Sequence, residues 1–345
     1  MSTEAEVIVA RAGAAGQITL NRPKALNALT HGMVKDISAA LSAWAGEPGV
    51  TRILVKGAGE RAFCAGGDIR VVHDLGRAGK LDEALPFFRD EYIMNRMIKR
   101  YAKPYVSLLD GIVMGGGVGV SVHGSHRVAG DRYAFAMPEV SIGFFPDVGG
   151  TYALPRLPFH AGTYLALTGQ RIGRADALAL GLVTHAVASA DLPAVEAELA
   201  AGADIEVTLK KYEAVTEIAP LLAHRETIER IFALPDVPAI FAALEADGGD
   251  FARTTLATMR TKSPTSMALA LEQMRRGRDL SFEDAMTLEM RIVTHVLEGE
   301  EFYEGVRAVI IDKDQAPKWQ PATIAEVDPA TIQRYFVPLS DDLRF

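Results

Sequence analysis

Cysteine is almost absent from this chain, because Cys64 is the only one among 345 residues. A single thiol cannot form an internal disulfide, so the sequence is typical of a protein in a reducing compartment. Long apolar runs are also missing: Asp110 and His123 bound the longest one at about a dozen residues, too short to span a bilayer. The N-terminal stretch MSTEAEVIVA has two glutamates and no basic, serine-rich leader. We therefore expect a cytoplasmic protein without a signal peptide and without a membrane partner.

Clusters of basic residues are lacking as well. The formal net charge is −8, and no run of lysine or arginine resembles a nucleic-acid-binding stripe, so no nucleic-acid partner is expected. An anionic ligand would have to be bound by backbone N–H groups and a few local basic side chains. His123 and His126 form the closest histidine pair, but they have no third ligand nearby and no zinc spacing. No metal site is predicted.

What is present is an ordinary globular composition, 49% hydrophobic and 23% charged. Short apolar strands such as VTRILVKG and YVSLL alternate with helical patterns in the first part of the chain; Met33, Ile37 and Leu41, for example, share one helix face. Toward the C-terminus only helical periodicity remains, interrupted by prolines. This pattern predicts an α/β core over residues 1–200 and a helical C-terminal region over residues 201–345.

Glycines are concentrated in two clusters that each follow an apolar strand. FCAGGDI (63–69) follows VTRILVKG, and GIVMGGGVGVSVHG (111–124) follows YVSLL and is expected to open a helix. Glycine costs about 1 kcal/mol relative to alanine inside a helix, so these residues require a reason. Either close packing or backbone N–H groups that form an oxyanion hole would supply one. Neither cluster has the spacing of a dinucleotide fingerprint, a P-loop or a nucleophile elbow.

Two acidic residues lie in the apolar stretch AFAMPEVSIGFFPDVGG (134–150). Glu139 and Asp147 each follow a proline, and large apolar residues separate them. Burying an unpaired carboxylate is costly, so each residue needs a partner or a chemical role. In a structural interpretation, Glu139 forms an ion pair at a strand end and Asp147 caps a helix that begins near Gly149. In a functional interpretation, both carboxylates flank a reacting group.

The segments LNRPKALNAL, FCAGGDI, GIVMGGGVGVSVHG and MPEVSIGFFPDVGG together resemble the crotonase (enoyl-CoA hydratase/isomerase) superfamily. EGVRAVIIDKDQAPKWQPATIAEV (304–327) is similar to the tail of a branch that hydrolyses 3-hydroxyacyl-CoA thioesters. The resemblance covers nearly the whole chain and is weakest over about 190–260. It implies an α/β fold in which a spiral of ββα turns is followed by a helical C-terminal region. It also implies a homo-oligomer, either a trimer or a hexamer, with a monomer left open as the alternative.

The resemblance implies roles for residues in these segments. Backbone N–H groups of Gly67 and Gly116 would bind the thioester oxygen. Glu139 and Asp147 would be catalytic and would contact the substrate together with Gly116, and Glu91 would support the polar end of the pocket. The CoA moiety would lie near Arg22, Lys24, Ala25 and Leu26, with its adenine near Ala65, Gly66, Asp68 and Ile69. No separate cofactor is implied, because CoA is part of the substrate.

Three positions favour the hydrolase branch of the superfamily. Hydratases carry a first catalytic glutamate where this chain has Gly119, which has no side chain to activate water. Asp147 replaces the glycine usual in hydratases, and Glu91 matches another acidic position of the hydrolases. The helical neighbours of Glu91 are apolar, which favours the pocket over a solvated face. The implied activity is hydrolysis of 3-hydroxyisobutyryl-CoA, a step of valine degradation, or of its 3-hydroxypropionyl analogue.

Several alternatives stay open at this point. Glu139 either attacks the thioester carbonyl, giving a transient anhydride, or activates water. Asp147 would bind the 3-hydroxyl and help to deliver a proton, and crowding of the acids should raise the pKa of at least one. Cys64 has no histidine nearby in sequence and is expected to be a small buried residue. The competing functions are an enoyl-CoA isomerase or hydratase and a non-catalytic acyl-CoA-binding protein.

Overall fold

The computed structural model describes residues 5–345, so the first four residues of the stretch used to argue against a signal peptide lie outside it. The chain forms two compact units. The first comprises the chain up to Gly67, Ile93–Phe135 and Ile172–Pro220, and the second comprises Asp68–Tyr92, Ala136–Arg171 and Leu221–Phe345. These units alternate along the chain, and the sequential division at residue 200 stays a prediction.

Ten strands occur in the described residues, all in the first unit apart from the last residue of β8. They are β1 (Val7–Ala12), β2 (Ala15–Leu20), β3 (Arg52–Gly57), β4 (Ala62–Cys64), β5 (Tyr105–Leu109), β6 (Ile112–Met114), β7 (His126–Ala129), β8 (Ala134–Ala136), β9 (Ile172–Gly173) and β10 (His185–Ala186). One sheet has the order β1-β2-β3-β5-β7-β10 and is parallel except for the β1–β2 hairpin. The other has the order β4-β6-β8-β9. Strand β5 is buried along its whole length, as expected for a central parallel strand.

Sixteen α-helices also occur in the described part of the chain. They are α1 (His31–Ala45), α2 (Ile69–Arg77), α3 (Leu81–Lys99), α4 (Gly116–Ser121), α5 (Gly150–Ala153), α6 (Ala161–Thr168), α7 (Arg174–Ala179), α8 (Leu192–Ala200), α9 (Ile205–Lys211), α10 (Arg225–Ile231), α11 (Val237–Asp247), α12 (Asp250–Met259), α13 (Pro264–Gly277), α14 (Phe282–Leu297), α15 (Glu301–Val306) and α16 (Pro329–Arg334). Within this part, no helix is both long and apolar enough to cross a membrane.

Helix α1 shows how the sequence pattern becomes structure in the first unit. The hydroxyl of Thr30 accepts a hydrogen bond from the N–H of Met33 at 3.2 Å, which caps the helix. The apolar face predicted from helical spacing is buried, including Ile37 and Leu41. Trp44 on the same face packs over Gly16 of β2, where any side chain would overlap the indole ring. The helix is thereby fixed against the sheet.

In the second unit, prolines mark helix starts. Pro264 is the first residue of α13, and Ser263 caps that helix by accepting a hydrogen bond from the N–H of Ser266 at 3.0 Å. The rings of Phe144 and Phe302 lie 5.5 Å apart in the core. The helical C-terminal pattern is therefore confirmed: after β10 the described residues contain helices and turns but no named strand.

Candidate active site

Four carboxyl groups lie buried close together in the second unit. Glu91, Glu139, Asp147 and Glu289 are exposed by 2%, 6%, 5% and 0%. The charge of Asp147 raises the pKa of each of the other three, so Asp147 is their common neighbour. The structure thus brings together the three acids singled out in the sequence and adds a fourth, Glu289.

Asp147 lies in the loop before α5 and does not cap that helix. Its Oδ2 accepts a hydrogen bond from the hydroxyl of Tyr92 at 3.0 Å, and only its backbone carbonyl reaches Gly150 N, at 2.7 Å. The N-cap is Gly149, which has no side chain to cap α5. Burial raises the pKa of Asp147 to about 7, against the opposing effect of the Tyr92 hydrogen bond. The capping interpretation is therefore wrong.

Glu139 opens a 3₁₀ turn (Glu139–Ile142) that begins after two intervening residues beyond the end of β8. Its Oε2 is fully buried and receives no hydrogen bond from any residue between 5 and 345. Burial, and then the charge of Asp147, raises its pKa well above the usual range for a glutamate. The strand-end ion pair is likewise wrong, because no cation pairs with this carboxyl in the described chain. A buried oxygen without a partner is a common feature of functional sites.

Glu91 lies on α3, where the neighbouring Phe87 and Phe88 are also buried. Oε1 of Glu91 has no hydrogen-bond donor among the residues described. Burial raises its pKa well above the usual range, and the charges of Asp147 and Glu289 add to the effect. The expectation that Glu91 sits on the apolar side of its helix is confirmed.

Glu289, on α14, was not predicted, although a signal was present. Its two oxygens accept backbone hydrogen bonds, Oε2 from Gly149 N and Oε1 from Thr151 N, both at 2.9 Å. Burial and the charge of Asp147 raise its pKa to about 8. Like Glu91, it has apolar neighbours one helical turn away on either side, Met286 and Val293 among them. The test applied to Glu91 would have found it.

The glycines of the two clusters lie close together in the first unit. Strands β4 and β6 are parallel neighbours; Gly66 and Gly67 follow the carboxyl end of β4, and Gly115, Gly116 and Gly117 follow that of β6, so both loops lie at the same edge of the sheet. A Cβ on Gly117 would overlap the carbonyl oxygen of Cys64 and lie 2.8 Å from its Cβ. Gly66, with φ of +124°, adopts a backbone conformation that favours glycine. Close packing is therefore one reason for the glycines, and the N–H role of Gly67 and Gly116 stays a prediction.

The residues expected near CoA are partly brought together. Ala65 N donates to the carbonyl of Leu26 at 3.0 Å, so this part of the CoA group is contiguous in the first unit; its members are Arg22, Lys24, Ala25, Leu26, Ala65 and Gly66. Arg22 pairs with Glu6 at 3.1 Å, whereas Lys24 is exposed. Asp68 and Ile69 begin α2 in the second unit. Contact of any of these residues with CoA stays a prediction.

Contacts with neighbouring residues account for Cys64 and for His126 of the histidine pair. Cys64 is fully buried, and its Sγ lies 3.4 Å from the carbonyl oxygen of Gly66. Nε2 of His126 lies 3.0 Å from Oε1 of Glu206. In residues 5–345, no group of three or more histidine, cysteine, aspartate or glutamate side chains could hold a metal ion.

Gly117→Ala is expected to lower the free energy of unfolding by about 2 kcal/mol, because the added methyl group would overlap backbone atoms of Cys64. Gly173→Ala is the matched control, since nothing lies within 4 Å of a Cβ at that exposed position. Its effect should stay within about 0.5 kcal/mol. Urea unfolding of both variants measures the difference, and equal stability would contradict the packing role.

The raised carboxyl pKa values should make stability fall as pH rises. Asp147 and Glu289 have pKa values of about 7 and 8 in the folded protein, against ordinary values of 3.8 and 4.5. Between these limits the unfolded chain has released protons that the folded chain still holds, so the free energy of unfolding decreases with pH. The stabilisation from these two carboxyls is fully present at pH values below their ordinary pKa values. It is lost as the pH rises through their pKa values in the folded protein.

We expect the free energy of unfolding to be a few kcal/mol larger near pH 5.5 than near pH 8, since each unit of pKa shift corresponds to about 1.4 kcal/mol. Urea unfolding at constant ionic strength measures this. Asp147→Asn should flatten the dependence because it removes the common neighbour of the cluster. A free energy of unfolding that increased from pH 5.5 to pH 8 would contradict the conclusion that the folded protein favours the protonated form of these carboxyls.

Comparison with known proteins identifies the family of this chain. The family model for enoyl-CoA hydratase/isomerase matches residues 15–336. The chain belongs to the enoyl-CoA hydratase/isomerase family. The crotonase resemblance seen in the sequence motifs is therefore confirmed, and it extends over nearly all of the chain.

Curated members of this family are similar over nearly their whole length. The chain is 46% identical to a protein of Xenopus tropicalis named "3-hydroxyisobutyryl-CoA hydrolase, mitochondrial", covering 98% of this chain and 90% of that protein. It is 43% identical to the protein of the same name from Homo sapiens, covering 99% and 91%. The tail and the acidic positions pointed to the same branch of the family.

Two solved structures of the family confirm the fold. One, described as a carnitinyl-CoA dehydratase from Mycobacterium thermoresistibile, is 41% identical, with a TM-score of 0.95 and 99% coverage of both chains. Another, described as an enoyl-CoA hydratase from Rhodobacter sphaeroides 2.4.1, is 39% identical, with a TM-score of 0.93 and coverage of 99% of this chain and 100% of that one. The predicted crotonase-like fold, with its helical C-terminal region, is confirmed.

Proposed function

We propose that the chain hydrolyses the thioester of 3-hydroxyisobutyryl-CoA, a short branched 3-hydroxyacyl-CoA, to 3-hydroxyisobutyrate and CoA. The observation that carries the proposal is the buried, unpartnered Oε2 of Glu139 in the same cluster as Asp147. The family relatives named as 3-hydroxyisobutyryl-CoA hydrolases support the choice of substrate. The alternative substrate of the same class is 3-hydroxypropionyl-CoA.

Glu139 is assigned to the step in which a new carbon–oxygen bond forms at the thioester carbon. As nucleophile, its carboxylate oxygen forms a bond to the thioester carbon, and the carbon–sulfur bond breaks to release CoA thiolate, which takes a proton. Water then cleaves the resulting anhydride and restores the carboxylate. As general base, Glu139 instead takes a proton from the water that attacks the thioester carbon. Both routes consume one water and release one acid and one thiol.

The remaining roles follow from chemical type. Asp147, with a pKa of about 7, holds the substrate's 3-hydroxyl and supplies the proton for the departing sulfur. Backbone N–H groups of Gly67 and Gly116 are assigned to the thioester oxygen, where each such donor contributes about 3 kcal/mol to transition-state stability. Glu91 supports the acidic end of the pocket. Lys24 and its neighbours are assigned to CoA, with the exposed ammonium of Lys24 available to a phosphate.

A hydratase or isomerase of the same family is the second candidate, because the two solved structures are described as a hydratase and a dehydratase. Water addition in a two-glutamate enzyme needs a carboxylate where this chain has Gly119, which is buried in α4 and has no side chain. Glu139 alone would suffice for a proton shift. The hydrolase proposal better accounts for the additional buried acids.

Release of free CoA tests the proposal directly. A thiol reagent follows release from 3-hydroxyisobutyryl-CoA and 3-hydroxypropionyl-CoA, and absorbance follows hydration of crotonyl-CoA. We expect rapid thiol release with crotonyl-CoA left unhydrated. Hydration of crotonyl-CoA without thiol release would favour the second candidate, and tight binding of the ester without turnover would indicate an acyl-CoA-binding protein.

Assembly and location complete the proposal. We propose a trimer or hexamer, the assembly that the family resemblance implies, located in the cytoplasm. The vertebrate relatives carry the word mitochondrial in their names. Sedimentation velocity of the purified protein tests the first point, and fractionation of source cells tests the second.

A further inference from the structure

The loop that carries Asp147 donates backbone hydrogen bonds to Glu289, a side chain with no role in the proposed reaction. Both oxygens of Glu289 accept backbone hydrogen bonds, from Gly149 and Thr151. A glutamine here could accept through one oxygen only, since its amide nitrogen is a donor. A carboxyl group, whose two oxygens can both accept, therefore matches two convergent N–H groups in a way that neither an amide nor an apolar residue can. Glu289 is fully buried, which makes this match structurally demanding.

The backbone beside Asp147 explains why such support is needed. Val148 has φ of +49°, a left-handed conformation that is unfavourable for a β-branched residue. Strained residues persist only where the surrounding structure fixes them, and they occur preferentially at functional sites. The two hydrogen bonds that Glu289 accepts begin one residue after Val148, so they help to hold this strained backbone in place.

A second buried side chain, the amide of Gln273, binds the same loop from another helix. Nε2 of Gln273, on α13, donates to the carbonyl of Pro146 at 2.6 Å and to the hydroxyl of Thr151 at 2.7 Å. The two side chains therefore fix the backbone on both sides of Asp147. Gln273 is uncharged and fully buried. It provides the same mechanical support as Glu289 without adding charge to the acid cluster.

We infer that Glu289 is a positioning residue that holds the loop of residues 146–151. With the loop in place, the Asp147 carboxyl keeps its hydrogen bond to the Tyr92 hydroxyl and can form a hydrogen bond with the substrate's 3-hydroxyl. Gln273 is the uncharged residue with the same role. This inference rests on the proposed function. The titratable groups around Glu289 are Asp147 on the loop and Glu91 on α3, and the Tyr92 phenol lies beside them. Positioning therefore has a specific consequence: recognition of the 3-hydroxyl, not merely stability, depends on Glu289.

The test compares two substrates that differ only in the 3-hydroxyl. In the wild type, kcat/KM for CoA release should be larger for 3-hydroxyisobutyryl-CoA than for isobutyryl-CoA. In Glu289→Gln this preference should fall by up to about 100-fold, the effect of displacing an active-site group by about 1 Å. Leu297→Ala, a buried position two turns along the same helix, is the control for general destabilisation and should retain the preference.

Gln273→Met separates position from charge. This variant removes both hydrogen bonds to the loop and leaves the number of charges unchanged, so a similar loss of preference supports positioning. A loss in Glu289→Gln with none in Gln273→Met would overturn it in favour of a purely electrostatic effect. Loss of the preference in Leu297→Ala as well would also overturn it.

Crystal structures of the wild type and Glu289→Gln give a readout that does not need turnover. We expect the Tyr92 hydroxyl and Asp147 Oδ2 to be within hydrogen-bond distance in the wild type and separated in the variant. An unmoved loop together with an unchanged preference would overturn the inference. If the wild type releases no CoA from either ester, the proposed function fails, and the Tyr92–Asp147 distance in the variant still decides whether Glu289 sets this loop.

Discussion

Glu139→Gln is expected to lower kcat for CoA release from 3-hydroxyisobutyryl-CoA by about 10³-fold, within the range for loss of a positioned acid–base group. The amide has nearly the same shape as the carboxyl, so the pocket should stay formed. It can neither attack the thioester carbon nor take a proton from water. KM should change little, because the change removes a group that acts in the transition state.

Glu226→Gln, at an exposed position on α10, is the matched control and should leave kcat unchanged. Thermal unfolding of both variants shows whether Glu139→Gln is folded. Removing a buried carboxyl that has no hydrogen-bond donor at Oε2 should not destabilise the protein. Near-full activity of Glu139→Gln would exclude Glu139 from the chemistry in either of its proposed roles.

A single turnover in heavy-oxygen water tests the nucleophilic role of Glu139. If Glu139 attacks the thioester, hydrolysis of the anhydride can leave labelled oxygen in its carboxyl, which mass spectrometry of the peptide detects. If Glu139 activates water, all label appears in the released acid. Either result is compatible with the proposed hydrolysis, and only the first establishes a covalent intermediate.

Asp147→Asn is expected to lower kcat for 3-hydroxyisobutyryl-CoA by about 10²-fold and to remove most of the preference over isobutyryl-CoA. An amide can still form hydrogen bonds, but it cannot supply the proton for the departing sulfur. Because Asp147 has a pKa of about 7, the wild type should lose activity as pH rises above that value and the proton is released.

The pH profile of kcat/KM therefore provides the decisive measurement for Asp147. The wild-type profile should have a descending limb near pH 7, and the limb should be absent from the residual activity of Asp147→Asn. Asp279→Asn, at an exposed position in the turn after α13, controls for the loss of a negative charge. An unchanged descending limb in Asp147→Asn would assign that limb to another group.

The α/β character, the helical C-terminal part and three of the four clustered acids could be predicted from sequence, because each depends on local pattern. Glu91 is recognisable from its apolar helical neighbours, and Glu139 and Asp147 from the apolar stretch around them. Glu289 has a similar local signal in FEDAMTLEMRIVTHVL. What no local pattern contains is its partner, the backbone of Gly149 and Thr151 far away in the chain.

The interpretation of Asp147 as a helix cap shows the limit of local reasoning. An aspartate shortly before a helix is a reasonable N-cap, and α5 does begin at Gly150. The carboxyl instead turns to Tyr92, which lies 55 residues earlier. A buried hydroxyl donor outweighed the local helix end, and that competition is decided only by tertiary packing.

The sequence separation of these supports has a consequence for biogenesis. Glu289 follows Gly149 by 140 residues, and Gln273 follows Pro146 by 127. A ribosome that adds about 5–20 residues per second synthesises the Asp147 loop roughly 7–28 s before Glu289. Until then the nascent chain contains Glu91, Glu139 and Asp147 without the contacts that hold the Asp147 loop. This long sequence separation delays assembly of the acid cluster until translation is nearly finished, and a chain truncated before α14 is expected to lack the activity proposed above even if its N-terminal part folds.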